Sequence, residues 1–197
     1  MRLSRRSSLR QVAAAVASAL DDAGIRAVLT GGACAAIYSQ GVYQSEDLDL
    51  ILLSSPTQKA LDRAMAVPGF IRRRDSYEHP DSRFFVEFPR GPLSIGSDLS
   101  VKPAELLIAG VRVALLSATD SCRDRLAAFY YWKDRQSLRA AVAIASRRAV
   151  NLGGIRAWSE REGASREFEE FQEEARAARK ARRLAGSALD PGRLRSK

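Results

Sequence analysis

The sequence predicts an α/β (α+β) fold in which a mixed β-sheet is flanked by helices and followed by a helical C-terminal region. Three observations lead to this prediction. A short strand, a Gly-Gly turn and a helix of small residues follow one another in residues 25–39. A nearly continuous apolar run of strand length begins at Leu48, as in strands that are buried on both faces. From Ser117 onward, apolar residues recur at helical spacing.

The first two-thirds of the chain contain the predicted sheet. Ser7 or Ser8 can cap an opening helix that ends at Gly24, because its apolar residues recur every three or four positions. The elements expected after it are a strand at 25–30, a helix at 33–39, a buried strand at 48–53, a crossover helix at 57–66, strands at 70–73 and 83–88, and a hairpin of 105–108 and 111–116.

The last third is predicted to be helical. A helix starts near Ser117, and three more are expected at 137–150, 154–161 and 164–185. In the last of these, Phe168 and Phe171 are the apolar anchors of an otherwise charged helix. This pattern divides the chain into a sheet-containing domain at 1–116, a helical region at 117–185 and a basic tail at 186–197, which is expected to be disordered.

The charge of the chain points to an anionic partner. Lys and Arg number 32 against 23 acidic residues, which gives a net charge of +9, and 8 of the 32 lie in the last 22 residues. Such a field favours nucleotides and nucleic acids. A surface that merely keeps the protein soluble is the alternative interpretation.

The two cysteines, Cys34 and Cys122, are too few for a disulfide framework, and the N-terminal residues contain no secretory apolar stretch. Both cysteines lie among small or apolar residues, which predicts that they are packed in the core. No apolar run approaches the roughly 18 residues that a membrane span needs. These features predict a cytoplasmic protein with no membrane segment.

The informative motif combines two glycines with two aspartates. Asp47 and Asp49 are separated by one residue on a strand, so both side chains point to the same face and can bind one hard cation, which suits Mg²⁺. Gly31 and Gly32 precede a helix, whose N-terminal N–H groups can bind phosphate oxygens. Glu87, on a later strand, is the natural third acid of such a site.

These residues resemble the polymerase-beta-type nucleotidyltransferase superfamily, and more closely its AbiEii/MenT-like bacterial members, which are often toxins of toxin–antitoxin pairs. The resemblance covers roughly residues 25 to 150 and implies a nucleotidyltransferase-type sheet in a catalytic domain at 1–116. Residues 124–129 are similar to a helical segment that brings a cation to the nucleotide in that group. Arg125 would have that role here, and Lys133 with Asp134 resembles a Lys-Asp pair of the same region.

The sequence departs from that family's pattern at two positions. Gly32 stands where much of the superfamily has Ser, so a hydroxyl contact to phosphate is missing. Arg125 stands where Lys is frequent, and its planar guanidinium binds phosphate with a different reach. Neither departure removes the predicted metal site.

The predicted function is Mg²⁺-dependent transfer of a nucleoside monophosphate from a nucleoside triphosphate to a hydroxyl, with RNA, such as the 3′ end of tRNA, as the first choice of acceptor. A protein hydroxyl is the second choice. The protein could instead be a catalytically silent nucleotide- or RNA-binding module, or the partner half of a toxin–antitoxin complex. The aspartates could also begin a solvated strand edge, Glu87 could face water, and Arg125 could be a solvated helix charge.

Overall fold

A computed structural model of the protein describes residues 3–188, which form seven helices and seven strands. The helices are α1 (Leu9–Asp22), α2 (Gly31–Tyr38), α3 (Gln58–Ala66), α4 (Ala118–Trp132), α5 (Arg135–Arg147), α6 (Leu152–Arg161) and α7 (Ser165–Ala188). The strands are β1 (Ala27–Leu29), β2 (Asp47–Leu52), β3 (Ile71–Arg73), β4 (Ser76–Glu78), β5 (Phe85–Glu87), β6 (Ala104–Ile108) and β7 (Val111–Leu115).

The strands form one sheet in the order β3-β4-β5-β2-β1-β7-β6. β2 lies at its centre, antiparallel to β1 and parallel to β5, and β1 is parallel to β7. The sheet is therefore mixed. The prediction of a mixed sheet flanked by helices and followed by a helical C-terminal region is confirmed.

Local signals set the start of several helices. Ser8 caps α1 as part of a capping box with Gln11, whose side chain accepts the Ser8 backbone N–H. Ser117 caps α4, accepting from the Asp120 backbone N–H at 3.0 Å. These caps satisfy N–H groups that lack a partner within the helix. The predicted helix starts at Ser8 and Ser117 are confirmed.

Several elements differ from the sequence prediction, and three of these differences have an identifiable cause. β4 was not predicted, because it is three residues long with Tyr77 as its only buried residue, and its pairing with β3 and β5 defines it. α2 begins at Gly31, so the two glycines belong to the helix rather than preceding it. α5 begins at Arg135 because Asp134 accepts the Gln136 backbone N–H at 2.8 Å.

The C-terminal helices share one core with the sheet. α4 and α5 pack on α2, and α7 packs on α5. Phe168 and Phe171 are fully buried, which confirms them as the anchors of α7. Cys34 and Cys122 are also fully buried, as predicted, and burial raises the pKa of the Cys34 thiol to about 12. Hydrophobic packing therefore continues across residue 116, where the predicted domain boundary lies.

α7 extends the helical region to Ala188, three residues into the predicted tail. The rest of that tail, residues 189–197, lies outside the described residues. Within residues 3–188, no helix combines the length and the apolar character that crossing a membrane would require.

Candidate active site

Three carboxylates lie on one face at the centre of the sheet. Asp49 of β2 is paired in register with Glu87 of β5, and Asp47 lies two residues before Asp49 on the same face. All three are half-buried, whereas Leu48, on the opposite face, is fully buried in the core. The structure therefore brings the three predicted acids together on adjacent strands.

The electrostatics of this face are unfavourable for a carboxylate. Burial raises the pKa of Asp49 above its ordinary value, and the neighbouring charges of Asp47 and Glu87 raise it further, to about 6. The positive charge of Arg125 opposes this shift. A cation bound between these carboxylates would relieve their mutual repulsion, so the chemistry of the donor set fits a divalent metal.

The predicted metal site would supply only part of the coordination shell of the ion. Among residues 3–188, no three His, Cys, Asp or Glu side chains converge as a ready-made metal cage. Mg²⁺ commonly binds one or two carboxylates and completes its shell with water and substrate phosphates. The aspartate pair with Glu87 beside it fits that mode of binding, in which the substrate supplies the remaining oxygens.

The N-terminus of α2 lies directly beside the carboxylates. The Thr30 backbone N–H and hydroxyl both donate to the Asp49 carbonyl oxygen, at 2.8 and 3.3 Å. Because the Thr30 side chain does not cap α2, the first N–H groups of the helix remain available to an anion. Gly31 adopts a positive φ of 61°, and a Cβ built on it would overlap Oδ2 of Asp49. The glycine is therefore required for the close approach of helix and carboxylate.

Gly32 is close to a residue that the sequence analysis did not identify. A Cβ on Gly32 would lie 2.5 Å from Oγ and 3.1 Å from Cβ of Ser45. The Ser45 hydroxyl donates to a carboxylate oxygen of Asp47, and its Oγ lies 3.2 Å from the Asp47 carbonyl oxygen. Ser45 thus orients Asp47 and occupies the space that a side chain at position 32 would need.

Replacing Gly32 with alanine should therefore destabilise the protein by about 1–2 kcal/mol, because Ser45 must move. Ser45→Ala removes Oγ, the nearer of the two Ser45 atoms. The double variant should therefore be about 1 kcal/mol more stable than the sum of the two single losses of unfolding free energy predicts. Urea unfolding of the four proteins measures this coupling. An equal loss from Gly32→Ala in both backgrounds would show that Ser45 is not the obstacle.

Arg125 reaches the site from α4. Its Nε and Nη2 donate to Asp124 at 3.0 and 2.8 Å. Burial lowers the pKa of the Arg125 guanidinium, but the charge and hydrogen bonds of Asp124, with smaller contributions from Tyr43 and Asp49, outweigh it and raise the pKa. Burial also raises the pKa of Tyr43, and the Arg125 charge opposes that change. Arg125 therefore lies within electrostatic range of the carboxylates, as its predicted role requires.

Lys133, the other cation expected at the nucleotide, has a different contact. It ends α4 in a left-handed conformation, and its Nζ donates to Glu167 of α7 at 2.7 Å. Its ammonium group thus links two helices of the C-terminal region in this structure. Ser45, Tyr43 and Asp124 were not among the predicted site residues, because their hydrogen bonds and charge interactions with Asp47 and Arg125 become visible only in the structure.

Known structures with this fold include a crystal structure of an antigenic nucleotidyltransferase-like protein from Paracoccidioides brasiliensis. It is 20% identical, with a TM-score of 0.54, and the match covers 72% of this chain and 77% of that chain. A solution structure of the antibiotic-resistance factor ANT(2'')-Ia is 15% identical, with a TM-score of 0.45 and coverage of 89% and 91%. The sequence matches no protein-family model and no curated protein. The first likeness shows a nucleotidyltransferase-type fold.

Proposed function

We propose that the protein is a Mg²⁺-dependent nucleotidyltransferase that moves a nucleoside monophosphate from a nucleoside triphosphate to a hydroxyl group. One observation carries the proposal: Asp49, in register with Glu87 and next to Asp47, lies against the uncapped N-terminus of α2. This arrangement supports the proposal because a metal-bound triphosphate needs both oxygen ligands for the cation and N–H donors for its phosphate oxygens.

In the proposed reaction, the acceptor oxygen bonds to the α-phosphorus. The bond between the α-phosphorus and the oxygen that bridges it to the β-phosphorus breaks, which releases pyrophosphate. The hydroxyl proton passes to a carboxylate of the site. Asp47 and Asp49, with Glu87 beside them, would hold Mg²⁺, which would supply positive charge to the phosphate oxygens. The backbone N–H groups of Gly31 and Gly32 hold the phosphates, and Arg125 supplies a positive charge from α4.

We propose RNA as the acceptor, with the 3′ end of tRNA as the first candidate, and a protein hydroxyl as the second. The net charge of +9 supports a polyanionic acceptor. The resemblance of the Gly-Gly and Asp-Leu-Asp motifs to AbiEii/MenT-like proteins supports a role as a toxin–antitoxin component in the cytoplasm, with an antitoxin protein as partner.

Incubation of the purified protein with each of the four labelled triphosphates, Mg²⁺ and total RNA tests the proposal. Label should be incorporated into RNA by the wild type and by Asp22→Asn, a change of an exposed aspartate at the end of α1. Incorporation should be lost in Asp47→Asn and in EDTA. Label on protein instead would identify the second acceptor. No label on RNA or protein would overturn the proposed transfer and leave a nucleotide- or RNA-binding module.

A further inference from the structure

A cleft with a volume of about 650 Å³ lies where two strands of the sheet begin, and it is connected to the candidate site through Ser45. Ser45, which precedes β2 and orients Asp47, lines it, and so does Tyr43. Arg83 and Phe84, which precede β5, line the same cleft. The strands that carry Asp47, Asp49 and Glu87 therefore both begin at this cleft. We call it the arginine cleft.

The described residues that line the arginine cleft carry positive charge and include no carboxylate. Arg10 from α1, Arg83 and Arg148 are among them, and the others are uncharged. Arg10 and Arg83 are exposed. The Arg83 guanidinium lies 4.9 Å from the centre of the Phe84 ring, and Arg148 Nε donates to the Tyr38 carbonyl oxygen at 3.3 Å. The cleft therefore presents three guanidinium groups, two of them supported by contacts with neighbouring residues.

A second cleft is also lined by three arginines but differs from the arginine cleft in its net charge. It has a volume of about 630 Å³ and is lined by Arg72, Arg73 and Arg74, but also by three acids, Asp75, Glu78 and Glu87. The charges of its lining residues balance. The charges of the lining residues therefore favour a strongly anionic molecule in the arginine cleft over this one.

We infer that the arginine cleft binds the terminal nucleotides of a single-stranded polynucleotide acceptor. Guanidinium groups bind phosphates in a bidentate manner, and the side-chain amides of Gln40 and Gln44, which also line the cleft, can hydrogen-bond to base edges. Single-stranded ends expose both groups. A strand lying along Arg10, Arg83 and Arg148 delivers its terminal hydroxyl past Ser45 to the carboxylates. This inference deepens the proposed function and rests on it for the role of the bound strand as acceptor.

Binding of a fluorescein-labelled single-stranded RNA oligonucleotide, measured by anisotropy without triphosphate or metal, tests the inference independently of catalysis. Arg10→Glu and Arg83→Glu should each weaken binding about tenfold and reduce the slope of log Kd against log salt concentration by about one. Arg112→Glu, an exposed change on β7, is the matched control and should retain wild-type affinity. Circular dichroism of each variant confirms that it is folded.

Unchanged RNA affinity in both cleft variants would overturn the inference. So would a higher KM for the triphosphate with RNA affinity unchanged, because the cleft would then hold the donor nucleotide. If the wild type bound RNA through the cleft but transferred no nucleotide, the proposed reaction would be overturned, and the inference of an RNA-binding cleft would stand. If both variants kept their RNA affinity and still transferred the nucleotide, the proposed reaction would stand, but the arginine cleft would have no part in it.

Discussion

Asp49→Asn is expected to abolish nucleotidyl transfer and, at the same time, to make the free protein more stable above pH 6. The amide removes a ligand of the proposed metal ion. It also removes a charge that burial and the neighbouring Asp47 and Glu87 disfavour in the folded state. After allowance for the partial exposure of Asp49, the gain should be about 1–2 kcal/mol at pH 8.

The pH dependence of this difference follows from the direction of the pKa shift. The pKa of Asp49 is raised from 3.8 to about 6 on folding, so the folded state binds the proton more tightly than the unfolded state does. The wild type therefore loses stability relative to the variant as pH rises through about 6, and the difference disappears below about pH 4. Urea unfolding in EDTA at pH 4, 6 and 8 measures it.

Asp22→Asn serves as the control, because Asp22 is exposed and lies at the far end of α1. It replaces an acid by its amide at a position outside the candidate site, so it separates the loss of a carboxylate in general from the loss of Asp49. An Asp49→Asn variant that is less stable than the wild type at pH 8 would contradict the prediction. That result would mean that attraction to Arg125 outweighs burial and the repulsion from Asp47 and Glu87.

Gly31→Ala is expected to reduce transfer by at least a hundredfold, because the new Cβ would overlap the Asp49 carboxylate. The left-handed backbone at this position adds about 1 kcal/mol of strain for a residue other than glycine. Gly24→Ala separates the two effects. Gly24 has a similar φ of 67°, but no atom of the described residues lies within 4 Å of a Cβ built there.

Gly24→Ala should therefore show a similar backbone cost in stability and retain its activity. Labelled-triphosphate incorporation and urea unfolding, measured on both variants, give the comparison. If the two variants were equally active, the contact between position 31 and Asp49 would have no role in the reaction. If Gly24→Ala were equally inactive, the loss would reflect general destabilisation.

The Asp-Leu-Asp spacing alone fixes the common face of Asp47 and Asp49, because alternation along a strand is a local property. Glu87 could also be identified from alternation within an aromatic run. Its pairing with Asp49 could not be predicted, because the register of β5 against β2 depends on contacts between residues that are distant in the sequence. The same limit explains why β4 was not predicted and why Tyr43 was not recognised as a neighbour of Arg125. Ser45 and Asp124 are close in sequence to Asp47 and Arg125, but only the structure shows the hydrogen bonds that they make.

The sequence by itself therefore determined the order and type of most elements and the buried central strand, since these follow from periodicity and capping. Short-range spacing also identified the residues of the proposed site for a metal-bound triphosphate. Only the tertiary structure decided that Gly31 touches Asp49, that Arg125 approaches the carboxylates while Lys133 pairs with Glu167, and that three arginines distant in sequence share one cleft. Those contacts depend on how the helices and strands pack against each other. Packing brings together residues that are far apart in the sequence, and local patterns do not predict which of them will be in contact.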